Sequence, residues 1–348
     1  MKLLKNVDGL GNFSMLVVGA GLFGATIAEH AAELLDKRVL VIDRRDHIAG
    51  NVYSYSDVET GIEVHKYGPH IFHTSNTTVE RYVKRFTGLN DYQHRVFAMH
   101  NGIPYGLPIN LHTLSQYFGR NVSPQEAHLL LQEPDRSAKS FEEAGISALG
   151  EDLYFSFFAG YTEKQWQEHP SSLPASTFSR LPVRFDFNNR YFNDSVEGIP
   201  SQGYTSWVER MLTHKNISVA VNTDFRSIKP HVPSGMPVVY SGPIDEYFNF
   251  KFGRLNWRTL DFRHEVLAMP SFQGVAQMNY PDLEIPWTRI VEHKHFKPEV
   301  ASGDNTIITR EFSRKATPQD EPYYPVRTPE QVDVFRRYSD AAAKEKGV

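Results

Sequence analysis

The chain has 348 residues, of which 40% are apolar and 22% charged, which is typical of a globular protein and not of a fibrous or disordered one. Its 37 basic and 41 acidic residues give a net charge of −4, which disfavours binding to a nucleic-acid backbone. The absence of cysteine excludes disulfides, thiolate zinc sites and a cysteine nucleophile. No apolar run approaches the roughly 18 residues of a membrane-spanning helix, so we expect no membrane span. The lack of cysteine is typical of a reducing compartment, and we expect a cytoplasmic protein.

The first fourteen residues, Met1 to Ser14, are polar and contain no apolar core of a secretory signal. The apolar run that follows, Met15 to Val18, is also too short to be one. We therefore expect residues 1–14 to form an unstructured leader.

The most specific pattern in the chain follows this leader. A short apolar strand that ends at Val18 leads into Gly19-Ala-Gly21-Leu-Phe-Gly24, and apolar residues at helical spacing come next. In a dinucleotide-binding fingerprint, Gly19 permits the tight turn, Gly21 lets the backbone approach a pyrophosphate, and Gly24 lets the helix pack on the strand. The free N–H groups at the start of the helix would bind the phosphates.

A second apolar run ends at Asp43, which lies 19 residues after Gly24 and so near the spacing expected of the acid that accepts ribose hydroxyl groups. The chain then reads Arg44-Arg-Asp-His-Ile-Ala-Gly50-Asn51. An arginine followed by a Gly-Asn turn indicates a second contact with a long dinucleotide of the FAD type. An ordinary surface loop is the alternative for this segment.

Two histidines three residues apart, His70 and His73, come next. Such a pair could bind a metal ion, but no further ligand lies at a compatible spacing, and we predict no metal site. A position beside a flat cofactor ring is favoured. Thr77 and Glu80 then form a capping-box pattern that predicts the start of a helix.

Further motifs follow in an order that we recognise. From Ser14 onward the chain contains GAGLFGA, IDRRDHIAGN, HKYGPHIFHT, LPINLHT, FFAGYTEKQW, LPVRFDF, YSGPIDEYF, RTLDF, TRIVEHKHF and EPYYPV. In this combination the chain resembles the bacterial UDP-galactopyranose mutase family over nearly its whole length. The glycine turn alone is shared with many unrelated flavin and nicotinamide proteins.

The resemblance implies FAD as the cofactor, reduced by NADH or NADPH, and UDP-galactose as the substrate. In that family UDP-galactopyranose becomes UDP-galactofuranose, for galactofuranose-containing glycans, with no net redox change. N5 of the reduced flavin attacks the anomeric carbon and expels UDP, and the covalent flavin–sugar adduct recloses through the 4-hydroxyl of the sugar. No nucleic-acid partner is implied, and a homodimer is compatible with the family.

The resemblance and the fingerprint together assign cofactor-binding positions. They are Gly19, Gly21, Phe23, Gly24, Asp43, Arg44, Gly50, Asn51, His70, Ile71, Asp224 and Phe225. The substrate-binding positions that the resemblance implies are His94, Phe157, Tyr161, Thr162, Trp166, Arg180, Tyr191, Asn279, Arg289 and Tyr323.

Three of these residues would be catalytic: Arg180 and Arg289 match the two arginines that hold the diphosphate, and His70 matches the histidine beside the isoalloxazine ring. Arginine suits a diphosphate because its planar guanidinium is permanently charged. In either context an arginine could instead form a surface salt bridge. We also expect about half of the aromatic residues between Glu151 and Trp166 to be ordinary core packing.

The expected fold is α/β, with a doubly wound, Rossmann-like FAD-binding domain, a helical insertion and an antiparallel sheet on the substrate side. We place the first part of the FAD-binding domain at residues 15–104, the helical domain at 105–190 and the second FAD part with its connection at 191–257. Residues 258–327 form the antiparallel sheet. Later strands are predicted at 217–221, 237–241, 258–267, 274–280, 289–296 and 305–312.

Residues 328–348 are predicted to be a helix that begins at Thr328-Pro329 and ends before Gly347. The family continues with a strand, a glycine-rich turn and a helix of the FAD domain, so we expect this chain to lack that segment. Ala49 also replaces a glycine that the family usually has. Two alternatives remain: an FAD-dependent oxidoreductase of the amine-oxidase type, and an inactive truncated UDP-sugar binder.

Overall fold

The computed structural model describes residues 1–4, 9–133, 135–180, 183–298, 303–345 and 347, without the side chains of Ser179 and Arg180. The helices are α1 (Leu22–Leu35), α2 (Thr77–Val83), α3 (Leu111–Phe118), α4 (Pro124–Leu130), α5 (Phe141–Tyr154), α6 (Gly160–Trp166), α7 (Tyr204–Met211), α8 (Phe225–Ile228), α9 (Ile244–Tyr247) and α10 (Pro329–Ala342). The strands are β1 (Met15–Val18), β2 (Val39–Ile42), β3 (Ser54–Ser56), β4 (Glu63–His65), β5 (Phe72–Thr74), β6 (Val96–His100), β7 (Ile103–Leu107), β8 (Val196–Gly198), β9 (Ile217–Ala220), β10 (Val238–Tyr240), β11 (Trp257–Leu267), β12 (Gln277–Asn279), β13 (Arg289–Glu292), β14 (Thr306–Lys315) and β15 (Tyr324–Pro325).

The nucleotide-binding half is built on a parallel sheet. Among the described residues its strand order is β10-β1-β2-β9. Strands β2 and β9 are buried along their whole length, because helices or loops cover both faces of a parallel sheet. Helix α1 connects β1 to β2 and packs with α7 on one face, while Phe225, Ile228 and Tyr247 cover the other. The doubly wound fold predicted from the fingerprint is therefore confirmed.

The N-terminal residues are part of this sheet. Leu3 forms a parallel bridge with Val219 in β9, and the N–H of Leu4 donates to the carbonyl of Val219 at 2.8 Å. Leu10 is 8% exposed and packs on the second face of the sheet. The expectation of an unstructured leader is wrong for residues 1–4 and 9–14. Although the segment is largely polar, its apolar side chains pack against the parallel sheet.

A second, mixed sheet forms the other half. Its order within the described chain is β15-β11-β14-β13-β12-β6-β7, and neighbours are antiparallel except β12 and β6. Strands β11 and β14 pair from Arg258 opposite Lys315 to Leu267 opposite Thr306. The strand predicted over 289–296 ends at Glu292 and continues as a 3₁₀ helix. The antiparallel sheet is otherwise confirmed.

The hairpin of β6 and β7 also belongs to this second sheet. Asn101 and Gly102 join the two strands, with φ of 50° and 75°, the left-handed pair that a tight hairpin turn requires. The domain boundary expected after residue 104 falls inside β7. The turn residues do mark a change of direction, but the change is between paired strands.

Two helix starts show how far local signals reach. The side chain of Asn76 accepts from the N–H groups of Thr78 and Val79, so Asn76 caps α2 and the capping box predicted at Thr77 is one residue off. Thr328 caps α10 as predicted, by accepting from Gln331 N–H. Helix α10 ends at Ala342, several residues before Gly347.

None of the described helices is long and apolar enough to cross a bilayer.

Helices α3 to α6 pack with the β6–β7 hairpin around a core of aliphatic and aromatic side chains. Gly150, at φ 75°, interrupts α5, and a π-helical turn at Phe155–Ala159 joins α5 to α6. This arrangement directs α6, the helix of the FFAGYTEKQW motif, toward the second sheet, where it contacts β14.

Candidate active site

Two glycine turns meet at the carboxyl end of β1. Gly19 has φ of 104°, and a Cβ atom at Gly24 would lie 1.9 Å from the carbonyl oxygen of Gly19, so α1 can begin here only with glycine at both positions. A Cβ atom at Gly50 would lie 3.1 Å from Cα of Gly21. The second turn of the sequence analysis therefore lies directly on the first.

An open cavity of about 490 Å³ lies over these turns. Its lining includes nine of the predicted cofactor positions: Gly19, Gly21, Phe23, Asp43, Arg44, Gly50, Asn51, Asp224 and Phe225. Gly24, His70 and Ile71 are not part of this lining: Gly24 packs α1 on the turn, and Ile71 packs on a cluster of the second sheet. No side chain caps α1, so its first N–H groups are available to an anion.

Asp43 connects the end of β2 to the first glycine turn. Its Oδ2 accepts from the N–H of Ala20 at 2.8 Å, and its Oδ1 accepts from the N–H of Arg45 at 2.9 Å. Asp43 is 8% exposed. The carboxylate thus holds the shape of the cavity, and each oxygen retains a lone pair for a ribose hydroxyl.

A group of charged residues that the sequence analysis did not bring together borders the same cavity. Oε2 of Glu321 accepts from Nη2 of Arg44 at 2.7 Å and from Nη2 of Arg45 at 3.0 Å. Burial alone would raise the pKa of Glu321, but the charges and hydrogen bonds of the two arginines lower it overall. Arg45 also donates to Oδ1 of Asn51 at 2.8 Å. Glu321 therefore ties the EPYYPV segment to the second glycine turn.

Strand register in the second sheet aligns four residues on one face. Asn279 lies opposite Arg289, Arg289 opposite Glu311, and Glu311 opposite Phe262. Directly paired residues project to the same side of a sheet. A Cβ atom at Gly68 would lie 3.3 Å from Phe262 and 3.5 Å from Oε1 of Glu311, so the loop before His70 covers the end of this row.

The centre of the row is a buried ion pair. Nε of Arg289 donates to Oε2 of Glu311 at 2.6 Å, and the Glu311 side chain is fully buried. Burial alone would lower the pKa of Arg289, but Glu311 raises it well above its ordinary value. Oε1 of Glu311 has no hydrogen-bond partner among the described residues. A permanently charged donor is thus held at a fixed place on the sheet.

Two predicted histidines lie in the field of Arg289 as neutral imidazoles. Burial, followed by the charges of Arg289 and His73, lowers the pKa of His94 to about 3. Burial and Arg289 also lower the pKa of His70, against the hydrogen bond to Gly68 that favours its charged form. Because the carbonyl of Gly68 can only accept, Nδ1 of His70 carries the proton at 3.0 Å and Nε2 is left as an acceptor.

His73 has partners of its own. Its Nδ1 lies 2.7 Å from Oδ2 of Asp194, and its ring stacks on Phe192 with centroids 3.7 Å apart. The two histidines of the GPHIFHT motif therefore lie in different environments. His73 contacts Asp194 and Phe192, whereas His70 lies in the field of Arg289.

The phenols of Tyr161 and Tyr191 also interact electrostatically with Arg289. Burial raises the pKa of each phenol, and the charge of Arg289 opposes that rise. Tyr324, which the sequence analysis did not assign, joins the same group and lies 6.2 Å from Trp166, ring centre to ring centre. Tyr323 lies between the cavity over the glycine turns and the Arg289 row of the second sheet. Burial is the main cause that raises the pKa of its phenol, and Arg45 and Glu321 beside the cavity and Glu311 in the row also affect that pKa.

Two further predicted substrate residues, Thr162 and Phe157, are buried. Thr162 is 5% exposed on α6. Phe157 is 3% exposed and packs on Tyr105 and Tyr117 at 5.1 and 5.6 Å, so this ring lies in the helical core, the role expected for half of the aromatic cluster. Arg180 ends the 3₁₀ helix Ala175–Arg180, and its side chain lies outside the described part of the chain.

Comparison with known proteins gives a consistent result. The family model described as UDP-galactopyranose mutase matches residues 156–348, and a model of an NAD(P)-binding Rossmann-like domain matches residues 17–86. The chain is 42% identical over 343 residues to a Klebsiella pneumoniae protein named "Probable UDP-galactopyranose mutase", with 97% of this chain and 88% of that protein covered. It is 39% identical to a dTDP-fucopyranose mutase of Escherichia coli, with 96% of this chain and 90% of that protein covered.

Solved structures share the fold. A reduced UDP-galactopyranose mutase matches with a TM-score of 0.60 at 14% identity, covering 95% of this chain and 78% of that one. An oxidoreductase from Methanosarcina mazei matches with a TM-score of 0.56 at 13% identity, covering 95% and 83%. At such identities the structures support the fold alone, whereas the family model and the sequence relatives carry the assignment. The chain belongs to the UDP-galactopyranose mutase family.

Proposed function

We propose that this protein is a flavin-dependent isomerase that interconverts UDP-galactopyranose and UDP-galactofuranose. The observation that carries the proposal is the Asn279–Arg289–Glu311 row, which presents a fixed guanidinium among neutral histidines and tyrosines in a chain that also has a dinucleotide cavity. A diphosphate requires such a donor in a protein of net charge −4.

The substrate would lie along this row. Arg289, with Arg180 from the neighbouring helical segment, would hold the diphosphate while the sugar is transferred and returned. Tyr161, Tyr191 and Trp166 offer aromatic surface to the base and the sugar. The remaining positions expected to contact or support the substrate are His94, Phe157, Thr162, Asn279 and Tyr323.

The residues of the cavity fit an FAD. Two glycine turns in contact leave room for a pyrophosphate, the carboxylate of Asp43 would accept the ribose hydroxyls, and the uncapped start of α1 offers N–H groups to the phosphates. Gly24 would act by packing, and Ile71 with Asp224 and Phe225 would border the cofactor. When bound in its reduced state, with NADH or NADPH as reductant, FAD would supply the electron pair that reacts with the sugar.

His70 would act on the cofactor side as a neutral hydrogen-bond acceptor. Its Nδ1 proton is held by Gly68, so Nε2 is available to a group that donates. Burial, with a smaller contribution from the charge of Arg289, lowers the pKa of this imidazole and so favours the unprotonated acceptor at neutral pH. The chain's own part in the reaction is thus to bind, orient and hold charge.

We propose a cytoplasmic location, which the absence of cysteine favours. A homodimer stays a prediction. Two alternative activities also stay open: that of an amine-oxidase-type oxidoreductase, and dTDP-fucopyranose as substrate, which the Escherichia coli relative favours.

The test is turnover of purified protein with UDP-galactofuranose after dithionite reduction, with products separated by anion-exchange chromatography. We expect UDP-galactopyranose to form, and faster than the corresponding product from a dTDP-fucose substrate. Anaerobic bleaching of the oxidised flavin by substrate would instead identify an oxidoreductase, and UDP binding without conversion an inactive binder.

Two variants sharpen this test. Arg180→Ala and Arg289→Ala should each weaken UDP binding roughly ten- to a hundredfold, because a charge-assisted contact contributes about 1.5–3 kcal/mol. Flavin absorbance should be unchanged in Arg180→Ala. Loss of that absorbance would place Arg180 in the cofactor site and not in the substrate site.

A further inference from the structure

The strongest feature outside these roles is a buried lysine on α6. Lys164 is 9% exposed, and its Nζ donates to the carbonyl oxygens of Tyr280, Asp282, Ile285 and Trp287 at 2.6, 2.7, 2.9 and 3.2 Å. The hydrogen-bond acceptors of the ammonium are therefore backbone carbonyls, while the carboxylates of Asp282 and Glu284 act on it through their charges. Such a ring of oxygens resembles the coordination of a bound cation.

The four carbonyls belong to one loop, residues 280–288, which connects β12 to β13. Asn279 and Arg289 stand at its two ends, and the N–H of Tyr280 donates to the carbonyl of Thr288 at 2.9 Å to close it. Carbonyl dipoles that converge on one point repel each other unless a positive group lies between them. The ammonium of Lys164 lies at that point and offsets the repulsion.

The helix that provides the lysine also carries three predicted substrate residues, Tyr161, Thr162 and Trp166. Helix and loop touch directly, since a Cβ atom at Gly160 would lie 2.3 Å from the carbonyl oxygen of Pro281. The loop is further tied to the β6–β7 hairpin by Asp282, whose Oδ2 accepts from Asn101 N–H at 3.0 Å.

We propose that Lys164 is a positioning residue, whose ammonium fixes loop 280–288 to α6 and so sets Arg289 and Asn279 at the correct distance from Tyr161 and Trp166. This inference rests on the proposed function, in which α6 holds the nucleotide and sugar while Arg289 holds the diphosphate. One ligand must contact both elements at once, so a small shift of the loop weakens every contact that the ligand makes.

The chain contains a matched control. Lys294 is also 9% exposed, and its Nζ donates to the carbonyl oxygens of Pro270, Gly303 and Asn305 at 2.6, 3.3 and 3.1 Å. It binds a different pair of loops and does not contact α6 or loop 280–288. Its removal should cost stability of the same kind without changing the nucleotide site.

The experiment compares Lys164→Met with Lys294→Met in full-length, flavin-loaded protein. Methionine keeps the length of the apolar stem and removes the charge. We measure the Kd of UDP by calorimetry and the Tm of each variant. Lys164→Met should weaken UDP binding roughly tenfold, while Lys294→Met should lower Tm and keep the Kd within about twofold of wild type.

A rescue separates position from general damage. Because the chain has no cysteine, Lys164→Cys introduces a single thiol, which 2-bromoethylamine converts to a lysine analogue before refolding. The alkylated protein should recover the wild-type Kd to within about twofold, and the unalkylated protein should not. If Lys164→Met does not fold, Gly160→Ala provides the second variant, since its methyl group would displace the same loop with the charge intact.

The inference is overturned if Lys164→Met binds UDP as wild type does, or if Lys294→Met weakens binding to the same degree. Wild-type protein that does not bind UDP at all contradicts the proposed function, and this result is distinguishable because it does not depend on the variants.

Discussion

Arg289 and Glu311 face each other across β13 and β14, joined by a 2.6 Å hydrogen bond from Nε to Oε2 in a fully buried carboxylate. The bond uses Nε, and within the described residues the two Nη atoms make no protein hydrogen bond. Glu311 therefore balances the charge of Arg289 and fixes its orientation. The two Nη atoms of Arg289 remain for an anion. In the proposed function, this pair would link the stability of the second sheet to the binding of the substrate.

Removing the carboxylate should show how much the pair stabilises the second sheet. Glu311→Ala leaves a buried guanidinium without its partner, and we expect the free energy of unfolding to fall by about 3–5 kcal/mol. Glu311→Gln keeps an acceptor of the same shape and should cost clearly less. Urea denaturation of the two variants measures the difference, and equal losses would show that the negative charge, and not the shape or the acceptor that glutamine retains, is what Glu311 contributes.

The two glycines of the first turn should respond differently to the same change. At Gly24 a Cβ atom would lie 1.9 Å from a backbone oxygen, so Gly24→Ala should lower the free energy of unfolding by about 3 kcal/mol. At Gly21 the nearest atom is 3.7 Å away, so Gly21→Ala meets no clash and should cost only about 1 kcal/mol, because alanine is a poorer N-cap residue than glycine. Its methyl group would nevertheless enter the cofactor cavity and reduce bound flavin. Flavin absorbance per protein and urea denaturation separate the two effects.

Ala49 carries backbone strain that glycine would relieve. Its φ is 74°, in the left-handed region, and the residue is fully buried. Ala49→Gly should therefore raise the free energy of unfolding by about 1 kcal/mol, whereas Ala28→Gly, in the interior of α1, should lower it by about 1 kcal/mol. Thermal and urea unfolding check both signs. If both variants had a lower free energy of unfolding than wild type, the backbone of Ala49 would not be strained.

Acid should weaken the fold through Glu292. Burial alone would raise its pKa, but hydrogen bonds from His295, the N–H groups of Gln273 and Phe272, and the Thr306 hydroxyl lower it from 4.5 to about 2. Because the folded pKa lies below the unfolded one, the stabilisation is complete above the unfolded pKa and is lost as the pH falls toward about 2. The shift corresponds to roughly 3 kcal/mol.

The measurement is the free energy of unfolding between about pH 6 and pH 2.5 for wild type and Glu292→Gln. The wild-type curve should fall more steeply, and the two curves should converge at the acid end. Parallel curves across this range would rule Glu292 out as the group responsible.

Local chemistry could be predicted because its causes are local. The turn from Gly19 to Gly24 needs positive φ and close packing, and only glycine provides both, so a six-residue pattern suffices. The cap of α10 at Thr328 follows from the same kind of short-range rule. The rule gave Thr77 in place of Asn76 for α2, because several adjacent polar residues could each have served as the cap.

The hairpin at Asn101 and Gly102 shows the limit of a local signal. The pair is typical of a tight turn, and the turn forms. Its partner strand β12, however, comes from residues 277–279, far along the chain. A domain boundary and a hairpin turn have the same local composition, and only the pairing of the strands distinguishes them.

The sequence by itself determined the nucleotide-binding turn, the strands and helices around it, and, through the resemblance of its motifs, the family. Only the tertiary structure decided that Glu311 accompanies Arg289, that Glu321 joins Arg44 and Arg45, and that Lys164 holds the loop beside Asn279. These partners come from separate strands, helices and loops, some of them more than two hundred residues apart. Strand register and helix packing set their distances, and both are decided by the folded core as a whole.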